Sequence, residues 1–161
     1  MAMNYESIIV EVGDDFVAQI TLNRPDHMNT FTTTLANELK DALLMLDKDK
    51  NVRVVLIKGA GRAFCAGIDI GDFFGKTPSE YKQWIECMEA PLVFISKMNK
   101  PVIAQVHGVA AANGAGLVAA ADLAIAGERT KFGLTAINVG LNCVGPVIPV
   151  SKSVGDRKSV V

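Results

Sequence analysis

The chain has 161 residues and is poor in the residues that usually announce a chemistry. Its three cysteines, Cys65, Cys87 and Cys143, are an odd number at irregular spacing, and its histidines are only His27 and His107. These compose neither a disulfide framework nor a zinc pattern, so no metal site is expected. Basic charge is not in excess: 16 Lys and Arg stand against 17 Asp and Glu, a net charge of −1. That excludes the basic stripe of a nucleic-acid binder. The opening "MAMNYESIIVEVGDD" carries acids early and has no apolar signal core. The longest apolar stretch, Val109 to Ala126, is interrupted by Asn113 and Asp122, and is too short and too polar to span a bilayer. No G-x-x-x-x-G-K-[ST] phosphate loop and no G-x-S-x-G elbow occurs. The expectation is a soluble protein of a reducing, cytoplasmic compartment, with no nucleic-acid or membrane partner.

What is present is a core. Half of the residues are hydrophobic and 20% are charged, as in one ordinary globular domain, here residues 1–161. "YESIIVEV" and "FVAQITLN" read as a hairpin about Gly13-Asp14-Asp15. Leu35, Leu39, Ala42, Leu43 and Leu46 share one face of a helix. "VRVVLIKG" reads as a strand of a sheet covered on both faces, and "PVIAQV" and "LAIAG" as further buried strands. "TPSE" is a capping box, with Thr77 as N-cap and Glu80 at N3. The helix it opens carries Tyr81, Trp84, Ile85, Met88, Leu92 and Ile95, with Pro91 as a candidate kink. Strand and helix alternate, which predicts an α/β domain with a largely parallel sheet. Near the end, Asp156 reads as an N-cap with about one turn of helix to follow. The chain is therefore expected to stop inside a longer protein.

One segment, "HGVAAANGAGLVAAAD" (107–122), holds almost no side chains and follows a strand; a second, "GRAFCAGIDI" (61–70), follows another strand and opens into a turn of small residues. Gly114, Gly116 and Ala119 fit G-x-G-x-x-[GA], but the preceding strand ends too early for a dinucleotide turn. Each strand is expected to exit into a small-residue turn and then a helix. Such turns expose backbone N–H groups, and two facing turns would offer two donors to one oxygen. Close helix packing explains the same residues equally well. Cys65 reads as a small buried hydrophobe and His107 as a satisfied histidine.

These residues resemble the enoyl-CoA hydratase/isomerase family, the crotonase superfamily. "ITLNRPDHMNTF", "VRVVLIKGAGRAFCAGIDI", "KPVIAQVHGVAAANGAGLVAAADLAIAGERTKFG" and "INVGL" carry the likeness over most of the chain. The resemblance implies a ClpP/crotonase-like fold of ββα units, here an N-terminal core domain lacking its C-terminal helices. It implies acyl-CoA thioester substrates, with coenzyme A as part of the substrate and no separate cofactor. It further implies assembly into a homotrimer or hexamer, and a lyase or isomerase activity of fatty acid metabolism. Read residue by residue, it puts the two oxyanion N–H groups on Ile68 and Asn113. Coenzyme A would bend over Met28 and over Ala66, Gly67, Asp69 and Ile70, with Gly114 beside them. The family's two glutamates would fall on Gly116 and Ala136, which can neither activate water nor protonate carbon. Two classes of function stay open. One is an enzyme using other groups: Asp69, Asn113, Asn138, Asn142, Cys143, or Glu86 and Glu89, which also read as a solvated helix face. The other is a non-catalytic acyl-CoA binder or partner subunit.

Overall fold

Alternation along the strands and the turn chemistry between them build one sheet. Gly13 N–H donates to Val17 O across the first turn at 2.9 Å, joining β1 (Ile8–Val12) to β2 (Val17–Leu22) as an antiparallel hairpin. The computed structural model describes residues 5–140, 142 and 144–154. Among these, β2 pairs with β3 (Val54–Gly59), β3 with β4 (Val102–Val106), and β4 with a later strand, Leu123–Ala126, all parallel. Ala18, Ile20, Leu22, Val55 and Ile57 face one side and are buried. Against them lies α1 (Thr33–Lys48), whose Leu35, Leu39, Ala42, Leu43 and Leu46 are buried as its periodicity predicts. A second helix, α2 (Pro78–Ile95), opens on the predicted capping box. It contains Pro91, which removes the N–H that would reach the Cys87 carbonyl.

Three expectations are corrected. The sheet is not covered on both faces: β3 alternates buried with half-buried residues, and the edge strand Leu123–Ala126 is exposed throughout, with Ile125 63% accessible. Apolar continuity alone did not report a second layer. Two short strands were not anticipated, β5 (Val109–Ala111) and β7 (Lys131–Gly133), a parallel pair outside the main sheet; the exposed edge strand between them is β6. Three residues are too few to show alternation, and alanine and glycine carry little β preference. Between β5 and β6 runs α3 (Asn113–Ala120), and a short 3-10 segment covers Thr135–Val139. A further helix, α4 (Val144–Val154), was hidden by Gly145, Pro146 and Pro149, which read as breakers. The expected cap at Asp156 lies outside the described residues. Among the described residues no helix is long and apolar enough to cross a membrane.

Candidate active site

The segments that follow β3 and β4 are laced together through their backbones. Phe64 N–H donates to His107 O at 3.0 Å, Cys65 N–H to Val109 O at 3.1 Å, and Ala111 N–H to Cys65 O at 2.9 Å. A Cβ on Gly114 would stand 2.2 Å from the Cys65 carbonyl oxygen, and one on Gly108 would stand 2.1 Å from that of Arg62. Main chain touches main chain here, which is why side chains are missing. Close packing therefore accounts for much of the small-residue stretch, and the same packing shapes a cavity.

Ile68 sits where Phe31 N–H donates to Gly67 O and Asp69 N–H donates to Phe31 O, at 2.7 and 2.8 Å. That bridge uses the neighbours and leaves out the Ile68 N–H. A further correction follows: the first small-residue turn leads into a short 3-10 turn, Ile70–Asp72, and α2 starts only at Pro78. The Ile68 amide is thus not at an α-helix N-terminus. Asn113 is. Ala112 holds φ +46° and ψ −117°, swinging the chain from β5 into α3, and Asn113 becomes the first helical residue. Its N–H has no partner inside the helix. Such a conformation costs a residue with a side chain about 1–3 kcal/mol. Among the described residues neither amide donates to a protein acceptor.

Both residues line one cavity of about 120 Å³, together with Phe73, Trp84, Met88, Glu89 and Ala136. Ile68, Ala112 and Ala136 also border an adjoining hollow of about 110 Å³, where Ala66, Ile70 and Phe74 stand. Gly67 and Gly114 are buried behind this surface. The Met28 loop is clamped to the same segment, since Ala66 N–H donates to Met28 O at 3.0 Å. Met28 and Asn29 both have positive φ, 50° and 55°. Asn29, which sequence reasoning passed over, fixes that loop: it is fully buried, and its amide donates to Ala60 O and Ala63 O at 2.8 Å each. An asparagine between a proline turn and a helix was the available signal, since asparagine tolerates the left-handed region.

The carboxylates differ sharply. Asp69 pairs with Arg24 at 3.0 Å and accepts from Thr30 Oγ1 and Gly71 N–H. Burial pushes its carboxyl up, but these bonds and the Arg24 charge outweigh it and hold it below its usual range. It ties the Met28 loop to residues 69–71 and borders neither hollow. Glu89 is half-buried at the cavity, and burial raises its carboxyl. Glu86, one turn earlier, is exposed. Asn142 borders the cavity, Asn138 is exposed, and Cys143 lies outside the described residues. Ala136 lines both hollows, whereas Gly116 is buried beneath Leu92 and Pro146. Cys65 is fully buried, which pushes its thiol up to about 12. His107 Nε2 is within 2.8 Å of Gly61 O. No group of three or more His, Cys, Asp or Glu among the described residues could hold a metal ion.

The family model for enoyl-CoA hydratase/isomerase matches residues 13–160. The chain belongs to the enoyl-CoA hydratase/isomerase family. Its α/β architecture is crotonase-like: an enoyl-CoA hydratase of Mycobacterium smegmatis superposes with a TM-score of 0.92 at 33% identity, over 96% of this chain and 60% of that one. A probable enoyl-CoA hydratase of Mycobacterium leprae is 37% identical, over 86% of this crotonase-family chain and 51% of the relative. The 1,2-epoxyphenylacetyl-CoA isomerase of Escherichia coli is 38% identical, over 78% and 49%. The chain thus spans about half the length of the curated relatives it matches.

Proposed function

We propose that this chain is the thioester-holding half of an acyl-CoA protein. The backbone N–H groups of Ile68 and Asn113 receive the thioester oxygen and stabilise it as an enolate or oxyanion. The observation that carries this reading is the pair of unpartnered amides on one apolar-walled cavity. Donors fixed by packing need no reorganisation when charge develops, which is what makes such a pair effective. Coenzyme A runs over the Met28 loop and the Ala66–Ile70 segment, whose hollow adjoins the cavity. The relatives' names, hydratases and an isomerase of CoA thioesters, support that substrate class. Gly116 and Ala136 leave the hydratase proton-transfer pair out, so ordinary hydration is not the activity. The bare edge formed by Leu123, Ile125, Phe132 and Ile137 supports assembly of the full-length protein into a homotrimer or hexamer.

The test uses the full-length protein and calorimetry with an acyl-CoA thioester and its thioether analogue, which lacks the carbonyl. Tighter binding of the thioester is expected. Equal affinity would remove the oxyanion role, and no binding of either would remove the substrate class. Binding with no turnover on a panel of acyl-CoA thioesters would mark a non-catalytic binder or partner subunit.

A further inference from the structure

A carboxylate stands at the cavity, away from the two positions where the family keeps its glutamates. Glu89 leaves α2 beside Met88, whose carbonyl accepts a hydrogen bond from Asn113 Nδ2 at 3.2 Å. That bond ties the helix carrying Glu89 to a residue that lines the same cavity. The carboxylate lies against Gly145 of α4, so close that a Cβ there would meet Glu89 Oε1 at 2.1 Å. Any larger residue at 145 would have to displace it. No protein donor reaches this carboxylate among the described residues, and Trp84, Ile85 and Met88 wall the same space. Among the described residues it serves neither an ion pair nor a hydrogen-bonded cap, which are the ordinary structural uses of such a group. Burial also makes it more basic than a free glutamate.

We propose that Glu89 is the catalytic base of this protein and that it moves one proton between two carbons of an unsaturated acyl-CoA. The proposal rests on the thioester-holding reading above. In a 3-enoyl thioester, Glu89 takes the proton from the α carbon. The C–H electron pair becomes the new carbon–carbon double bond of a dienolate, and negative charge passes to the thioester oxygen held by Ile68 and Asn113. The dienolate then collapses: the carbonyl re-forms, the double bond moves to the α,β position, and the γ carbon takes the proton back from Glu89. Bonds, charge and protons balance with no water consumed and no oxidant. Hydration asks for a base on water and an acid at carbon in the same encounter, whereas this shift asks for one group that keeps and returns a proton. One carboxylate with Gly116 and Ala136 in the other places fits the second demand.

The experiment follows conversion of 3-hexenoyl-CoA to the conjugated 2-enoyl thioester by absorbance, with full-length wild type, Glu89→Gln and Glu89→Asp. Affinity for saturated hexanoyl-CoA is measured alongside. Wild type is expected to isomerise and to exchange the α hydrogen of the substrate with heavy water. Glu89→Gln should lose about 10²–10⁴-fold in kcat with hexanoyl-CoA affinity unchanged, and Glu89→Asp should recover part of it. Wild-type turnover in Glu89→Gln would overturn the assignment. Wild type that binds hexanoyl-CoA but neither isomerises nor exchanges would overturn it too, while leaving the thioester reading standing. Failure to bind any acyl-CoA thioester would remove both.

Discussion

The cavity has two kinds of wall. On one side, residues 64–68 and 108–114 meet backbone to backbone, and Ile68, Ala112 and Asn113 border the space. On the other, α2, the 135–139 segment and α4 contribute side chains: Trp84, Met88, Glu89, Ala136 and Pro146. The first wall is set by how closely two chains can approach, so it depends on residue size. The second depends on residue chemistry, and there a single substitution changes what the site can do while the fold persists. Under the proposed function, the first wall holds the thioester and the second moves the proton.

The strongest way to break that contrast is to add one methyl to each of two glycines in the same helix. In Gly114→Ala the methyl would stand 2.2 Å from a backbone oxygen of Cys65, and backbone cannot step aside. The full-length variant is expected to lose about 3 kcal/mol or more, or to fail to fold, by urea denaturation. In Gly116→Ala the methyl meets the flexible end of Leu92 at 2.8 Å and Pro146 Cα at 3.0 Å. A loss of about 1–2 kcal/mol is expected there. Equal losses would show that the backbone wall is no tighter than the side-chain wall.

The next effect is catalytic. Hydration of crotonyl-CoA by the full-length protein should run at least about 10²-fold below an enzyme holding both glutamates, judged by loss of enoyl absorbance. Placing glutamate at Gly116 and Ala136 together should leave it low, because position 116 is filled by Leu92 and Pro146 before any carboxylate arrives. Brisk wild-type hydration would mean that a different group supplies the water-activating base.

The smallest effect concerns the Met28 loop. Asp69 is held below its usual range in the folded chain, so its contribution to stability is present above the ordinary carboxylate pKa of about 3.9. It is lost as pH falls through the lower folded value. Asp69→Asn should cost about 1 kcal/mol at neutral pH, since both partners of the pair are partly exposed, 18% and 23%. The gap between variant and wild type should close under acid in the same denaturation assay. A gap that persists at low pH would show that shape rather than charge holds the loop.

Much of this molecule was legible before folding. The hairpin, β3, β4, α1 and the Thr77–Glu80 cap rest on periodicity and on hydrogen bonds between residues a few positions apart, so each is written locally. The two small-residue segments were also visible, as was the absence of glutamate at positions 116 and 136. Sequence spacing did not separate Glu86 from Glu89, because both lie on one helix within a turn of each other. The packing of α3 and α4 against α2 decides which of them meets the cavity. It did not show β5 and β7, whose three-residue strands exist only because the chain returns from 106 to 131 beside itself. That Ile68 and Asn113, 45 positions apart, meet at one space was expected from the family resemblance alone, since no local pattern carries it. The sequence by itself determined where backbone had to be bare, because glycine and alanine state a size limit residue by residue. Only the tertiary structure decided what that bare backbone faces, because the two walls are joined by contacts that no local pattern encodes.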